Sequence, residues 1–560
     1  MKEQLKFLGV PTALLLLSGC GGSSSDSDPV EPFSFSEATV ASVHAAIDSR
    51  QLSCEEITSG YLERIASYDS PAGETNLNAV IRTNPNAVNR AIELDLDTAS
   101  GPGPDKPLYC IPVLAKDNIN TFDVPTSGGA LAFEFNQPRR DAFSLREMRE
   151  AGAIIIAKAN QDELAFGFRG DSTVGGLTKN AYDLTKGAGG SSSGTGTGIS
   201  ASLAVIGLGT DTGGSIRVPS AVNGLVGIRP SLRLVSQEGI MPLSSWQDTG
   251  GPMCRTVEDC AIAMDAMVGY DASSFSNQRA FFNIDSRLVV DEDEYLFMTG
   301  LPESYTEFLD ENGLQGARIG VVRELFGDGT DENAIVQTRI EEALETMREA
   351  GAIVEDVVVP DLTEIVTNFR SMSGFEFARD LEAYLQSWPS NLDGHIRTYQ
   401  EFQDSGLYLE RYANAIAARN NLDEDLSENE VYILNTVDRP EFVRPRLWEA
   451  FDNVSGGDGA EPFDVLLYPS ILSLAPELGN GPTAGSANRL SPFSGFPALT
   501  MPAGMVGEEV GVSPSLPVAF EMLAREFEEG TLFRIAYAYQ QVANPREAPV
   551  NFPELEPLAQ

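Results

Sequence analysis

Apolar and polar positions along this 560-residue chain alternate between two periods. From Thr39 to Asp69, TVASVHAAIDSRQLSCEEITSGYLERIASYD places apolar residues at three- and four-residue steps, which predicts helices. Ser53 and Glu56 make an S-x-x-E capping box inside that stretch. The next signal is a strand-length apolar run, Leu108 to Ile119, and a second follows in AGAIIIAKANQDELAFG, a helix end leading into a strand. Further strands are predicted at GARIGVV (316–322), AIVEDVVVP (352–360), FDVLLYPS (463–470), FPALTMPAG (496–504) and LPVAFEML (516–523). Helices are predicted from Thr256, from Asp331 to Ala350, over most of 361–450, and in FEEGTLFRIAYAYQQVAN near the end. Strands alternating with helices imply an α/β architecture, and no internal repeat interrupts it. Residues 270–315 are acidic and aromatic-bearing with little periodicity, and are read as an excursion or a lid.

One stretch fits neither period. Lys186 to Pro230 holds a Gly/Ser loop, the apolar run ISASLAVIGLG, a second glycine-rich turn ending in Ser215, and then Arg217. Glycine used this freely lets backbone come close to something. Gly213 and Gly214 directly precede Ser215. A turn there can aim several N–H groups at one point, a nest of donors for an oxyanion beside a serine hydroxyl.

Composition narrows the chemistry. Acidic residues outnumber basic ones 82 to 38, a net charge of -44, which excludes a phosphate backbone as partner and suits a surface facing salt water or the cell exterior. The two histidines, His44 and His395, are too few for most imidazole or zinc schemes, and His44 lies in a predicted helix as an ordinary helical residue. Lysine stops at Lys186. Lys116 and Lys158 each sit near the end of an apolar strand. Successive strand side chains face opposite ways, so Lys116 does not pair with Asp117 and can face a dry pocket. A lysine acting as a base near neutrality must fall by roughly three units from about 10.4, about 4 kcal/mol, which desolvation supplies. These arguments do not separate Lys116 from Lys158.

The first twenty residues, MKEQLKFLGVPTALLLLSGC, read as an export signal: two lysines, an apolar run too short to span a bilayer, and Leu17-Ser18-Gly19-Cys20. The closing four resemble a bacterial lipobox, so residues 1–19 are expected to be a lipoprotein signal peptide, Cys20 the lipid attachment point and 20–32 a flexible tether. The chain is then exported and touches a membrane only through that lipid, facing the periplasm or the exterior. Cys54, Cys110, Cys254 and Cys260 match no metal spacing, and their pairing stays open.

Two short motifs mislead. Gly190 to Gly194 matches G-x-S-x-G, but no hydrophobic strand precedes it. Gly196, Gly198 and Ala201 fit a dinucleotide pattern without the strand that pattern needs. Taken together, however, Lys116 in AKDNI, Ser191 in GGSSSG and Ser215 in GTDTGGSIR closely resemble the amidase signature family. AKANQDELAFG, VPSAVNGLVGIRPS, DTGGPMCRTVEDCA and PALTMPAG are similar to its pattern as well, so the resemblance runs from about Phe33 to Pro549. The chain departs from the common pattern at Ser193, where the family has glycine.

The resemblance implies a single large domain over 33–555, a central mixed twisted β-sheet covered by helices on both faces. It implies a Ser–Ser–Lys relay without metal or cofactor: Ser215 as nucleophile, Ser191 as bridge, Lys116 as base. Backbone N–H groups of Thr212, Gly213, Gly214 and Ser215 would line the oxyanion hole, Asp211 and Arg217 would support the loop, and the Gly190–Ser191 peptide would be cis. The substrate is expected to be a small carboxamide or a peptide C-terminal amide, with 270–315 and 361–450 supplying the pocket. An esterase at the same site and a solute-binding lipoprotein are the alternative readings. The natural substrate and the oligomeric state are not legible.

Overall fold

The buried apolar runs assemble into one sheet. In the computed structural model, which describes residues 32–71, 73, 75–97, 101–274, 291–387, 395–457, 459–485 and 487–555, the sheet has eleven strands. In chain order they are β1 (Val80–Thr83), β2 (Pro112–Lys116), β3 (Ile154–Ala159), β4 (Ile206–Asp211), β5 (Val226–Arg229), β6 (Thr249–Cys254), β7 (Arg318–Val321), β8 (Ile353–Asp356), β9 (Val465–Pro469), β10 (Ala498–Val506) and β11 (Leu516–Leu523). Their spatial order is β1-β3-β2-β4-β6-β5-β10-β11-β9-β7-β8. β3, β2 and β4 run parallel, as do β9, β7 and β8, and antiparallel pairs join the two groups. Helices flank this mixed sheet, so a single large α/β domain is what the chain builds. Central strands such as IIIAKA and PVLAK are buried along their whole length, which is why they read as continuous apolar runs.

Local rules set the helix starts. Ser53 accepts from the Glu56 amide at 3.1 Å, and Glu56 accepts from the Ser53 amide at 2.8 Å, opening the helix Cys54–Tyr68. Thr256 caps the helix Val257–Met267 through the Asp259 amide. The helix Ser193–Ser200, SGTGTGIS, has three glycines and poor intrinsic propensity, yet every residue of it is buried. Packing against β2 and β4 holds it, and that packing fixes the Gly/Ser loop that precedes it.

The described part of 270–315 is no lid. Tyr295, in the helix Glu292–Thr299, is buried and donates to the Leu234 carbonyl, and Tyr305 packs on Phe533. Cys54 and Cys110 form a disulfide, while Cys254 and Cys260 are buried free thiols. The expected signal peptide, Cys20 and nearly all of the tether lie outside the described residues, among which no helix is long and apolar enough to cross a membrane.

Candidate active site

Two neighbouring parallel strands end side by side. Lys116 is the last residue of β2 and Asp211 the last of β4, so both reach the carboxyl edge of the sheet where the Gly/Ser loop crosses. Lys116 is fully buried, and its Nζ lies 2.7 Å from Ser191 Oγ, 2.8 Å from Thr210 Oγ1 and 3.3 Å from the Thr210 carbonyl. Burial pushes the amine down to about 7, against the pull of the Asp162, Asp211 and Asp248 carboxylates. A group poised there can take or return a proton near neutrality.

The three consecutive serines take three different jobs. Ser191 faces Lys116. Ser192 turns back and ties the loop to the second turn: its Oγ donates to the Ser215 carbonyl at 2.6 Å and its amide at 3.2 Å. Ser193, the departure from the family pattern, sits 3.2 Å from Thr178 on the far side. The Gly190–Ser191 peptide is cis, as the resemblance implies. Gly190 has no room for a side chain, since a Cβ there would meet Asp162 Oδ2 at 1.8 Å.

Ser215 lines a cavity of about 390 Å³ with Thr212, Gly213, Phe168 and Phe493 among its walls. No hydrogen bond joins Ser191 Oγ to Ser215 Oγ among the described residues; contacts of this kind often tighten only around a substrate. Asp211 accepts from the Gly214 amide at 2.7 Å, the Ile216 amide at 3.1 Å, Arg217 Nε at 3.1 Å and Arg229 Nη1 at 3.2 Å. The two guanidiniums hold its carboxyl well below the usual range, although burial opposes them. Arg217 also donates to Glu521 at 2.6 Å, which makes it a buried strut between the turn and β11.

This geometry corrects one expectation. Gly214, counted with the oxyanion donors, gives its N–H to Asp211, because a buried carboxylate needs donors and this is the nearest one. The amides of Thr212, Gly213 and Ser215 make no hydrogen bond within the described chain. Gly214 keeps another role, a φ of +124° that few side chains tolerate.

Several residues at the site have no role that the sequence itself announces, although Asp248 opens the family-like stretch DTGGPMCRTVEDCA. Asp248 accepts from the Thr212 hydroxyl, and Gln247 Nε2 donates to the Thr212 carbonyl at 2.6 Å, so the turn is pinned from two sides. Asn488 donates to the Gly213 carbonyl at 2.6 Å, and its Oδ1 is buried without a partner at the cavity wall. Of the segments expected to supply the pocket, 361–450 contributes Phe369, Arg370 and Ser371, whereas no described residue of 270–315 lines it. Lys158 lies elsewhere: its Nζ donates to the Ile119 carbonyl and to Thr126 Oγ1, with Asp117 Oδ1 at 4.0 Å. Neither histidine lines the cavity.

The site thus sets a buried amine against a serine hydroxyl, with neither histidine at the cavity. The chain belongs to the amidase family, whose profile, described as Amidase, matches residues 56–533. It is similar to the peptide amidase of Stenotrophomonas maltophilia, at 31% identity over 92% of this chain and 99% of that one, with a TM-score of 0.78. An amidase family protein from Bacillus anthracis is 29% identical over 92% of each chain, with a TM-score of 0.73. A glutamyl-tRNA(Gln) amidotransferase component of Thermoanaerobacter pseudethanolicus is 29% identical over 90% of this chain and 96% of its own length. The chain is an enzyme of the amidohydrolase type.

Proposed function

We propose that this enzyme hydrolyses a carboxamide, either a small amide or the C-terminal amide of a peptide, to a carboxylate and ammonia or amine through an acyl-enzyme on Ser215. The observation that carries the mechanism is the buried Lys116 Nζ at 2.7 Å from Ser191 Oγ. A neutral amine has two N–H donors and one lone pair. Thr210 offers two acceptors, its hydroxyl and its carbonyl, and the Ser191 hydroxyl then donates to the lone pair. In that state Ser191 passes its proton to Lys116 and takes one from Ser215, whose Oγ forms a bond to the amide carbonyl carbon. The free amides of Thr212, Gly213 and Ser215 would receive the charge that builds on the carbonyl oxygen. Ser191 gives the proton taken from Ser215 to the leaving nitrogen as the C–N bond breaks and regains its own from Lys116, and water repeats the sequence to release the acid.

The peptide amidase relative supports a peptide amide as substrate, and the orphan Asn488 Oδ1 offers an acceptor for an N–H of such a molecule. Membership of the amidase family sets the solute-binding alternative aside. An esterase reaction remains the second reading, since the same acyl-enzyme opens esters. A fluorophosphonate probe should label Ser215, located by peptide mass spectrometry, and ammonia should appear from a panel of aliphatic, aromatic and peptide carboxamides. No label and no ammonia would overturn the proposal. Faster alcohol release from the matched esters would move it to the second reading.

We also propose that the enzyme is exported and held on a membrane by lipid on Cys20. Metabolic labelling with an alkyne fatty acid should mark the chain and be lost in Cys20→Ala; equal labelling of both would overturn it.

A further inference from the structure

The walls of the cavity carry a charge opposite to that of the chain. Of 560 residues, 82 are acidic and 38 basic, yet no Asp or Glu lines the cavity, while Arg370 and Arg489 do. Both are exposed. Neither has a carboxylate partner among the described residues; Arg489 donates to the Val366 carbonyl, and the Arg370 guanidinium makes no ion pair. Elsewhere the acid surplus neutralises arginines readily: Arg323 meets Glu341 and Asp356, Arg444 meets Glu526, and Arg546 meets Glu37.

A third cation lies behind the wall. Arg439 is fully buried, and its Nε and Nη2 have no partner among the described residues. Its Nη1 donates to Gln247 Oε1 at 3.3 Å and to the Arg370 carbonyl at 2.8 Å, and its guanidinium lies 4.6 Å over the Phe493 ring. Gln247 and Phe493 both line the cavity. Burial lowers this guanidinium to about 9, still charged near neutrality, and of the nearby carboxylates Glu376 offsets that only in part. Asp211 is held by two arginines, Glu376 is engaged by Ser244, Tyr432 and Arg379, and burial raises Asp248 to about 7. Inside a low-dielectric wall a guanidinium compensated only in part acts at longer range than in water.

We propose that the amide cleaved here carries a carboxylate on its acyl part, and that Arg370 and Arg489 at the rim hold it while Arg439 biases the cavity toward negative charge. This rests on the amidase reading of the same site. A cavity of about 390 Å³ is near the small end of ligand sites, so the carboxylate belongs close to the carboxamide, as an acidic side chain on a peptide amide or as the free acid of a dicarboxylic monoamide. Arginine suits that task because its planar fork matches a carboxylate in two hydrogen bonds.

The test compares matched pairs: acetyl-Glu-Ala-amide with acetyl-Met-Ala-amide, and glutaramate with pentanamide. The wild type should favour the anionic member of at least one pair by about tenfold or more in kcat/KM, mainly through KM, and less so at high salt. The pair that shows the preference identifies the source of the carboxylate. In Arg370→Gln/Arg489→Gln the preference, read as the ratio of kcat/KM between the two members of a pair, should fall below about threefold. A second readout does not need turnover: calorimetry on Ser215→Ala should find tighter binding of the anionic peptide amide than of its neutral partner. Equal use and equal binding of neutral and anionic members, or a preference that survives in the double variant, would overturn the inference. Preferential anion binding, lost in the double variant but without hydrolysis of any amide, would keep the carboxylate site at Arg370 and Arg489 and sink the amidase reading instead.

Discussion

Two lysines, one strand apart, show how differently two equally buried amines can be partnered. Lys116 ends β2 and Lys158 lies one residue before the end of β3, its parallel neighbour. Both are fully buried, and burial lowers both, to about 7 and about 8. Register separates them. Lys116 pairs with Ala159 and Lys158 with Ala115, so the two side chains leave the sheet on opposite faces. On one face the amine meets a hydroxyl and the two oxygens of Thr210, with no carboxylate in ion-pair reach among the described residues. On the other it donates to a carbonyl and a hydroxyl and has the Asp117 carboxylate at 4.0 Å as a counter-charge, which favours the ammonium. Desolvation is common to both sites; the set of partners is what differs.

The sharpest way to break this comparison is to remove each amine at constant volume. Lys116→Met should lower kcat/KM by about 10³-fold or more, as expected for a lost general base, and leave the melting temperature unchanged or higher. Lys158→Met should keep kcat/KM of the folded enzyme within about threefold, but cost about 3–5 kcal/mol in stability, because Asp117 loses its cation in the interior. Denaturant titration and steady-state ammonia release read both. The opposite pattern would move the base to Lys158.

A smaller effect should appear on changing pH. With Lys116 as the proposed base, acting in its neutral form, kcat/KM should fall about tenfold per unit below about 7 and level off above it. A profile flat from about 5.5 to 8.5 would contradict the assignment. Stability does not discriminate the two amines. Each lysine has a lowered value in the folded state, so between that value and about 10.4 the unfolded chain binds more protons and stability rises with pH.

What the sequence discloses follows from how local each feature is. LPVAFEML is a strand over its whole length, Leu516–Leu523, and the helix from Asp331 ends one residue before the expected Ala350, since buried strands and amphipathic helices write their own periods. Lys116, Ser191 and Ser215 stand out because glycine-rich turns around polar residues are rare inside apolar runs. Choosing between Lys116 and Lys158, however, needs the register of β2 on β3, a pairing across about forty residues that neither strand encodes alone. Gln247 and Asn488 arrive from distant loops and look like ordinary polar residues until the turn they pin is seen, and Asp248, although it opens a family-like stretch, shows its part only there. The Gly214 amide shows the same limit at short range: a nest of donors is readable in GTDTGGS, but which donor a neighbouring carboxylate takes is not. Tyr295 and Tyr305 sit in a stretch without periodicity and still pack into the core, because irregular segments bury side chains one at a time.

The finest test trims one methyl-sized partner from each lysine. Thr210→Val deletes a hydroxyl 2.8 Å from Lys116, and Thr126→Val deletes one 3.0 Å from Lys158. Each bond is worth about 0.5–1.5 kcal/mol net. At Lys116 that loss should appear as a roughly tenfold fall in kcat/KM, because the amine is no longer aimed at Ser191, and also as a displaced pH profile. A hydroxyl that accepts from the amine favours its charged form, so removing it should move the onset of activity to lower pH. At Lys158 the same deletion should cost about 1 kcal/mol of stability, keep kcat/KM within about twofold and leave the pH midpoint where it was. The displaced midpoint is the informative reading, since a change that only loosened the fold would lower activity equally at every pH. If Thr126→Val moves the midpoint and Thr210→Val does not, the two faces of the sheet have been assigned the wrong way round.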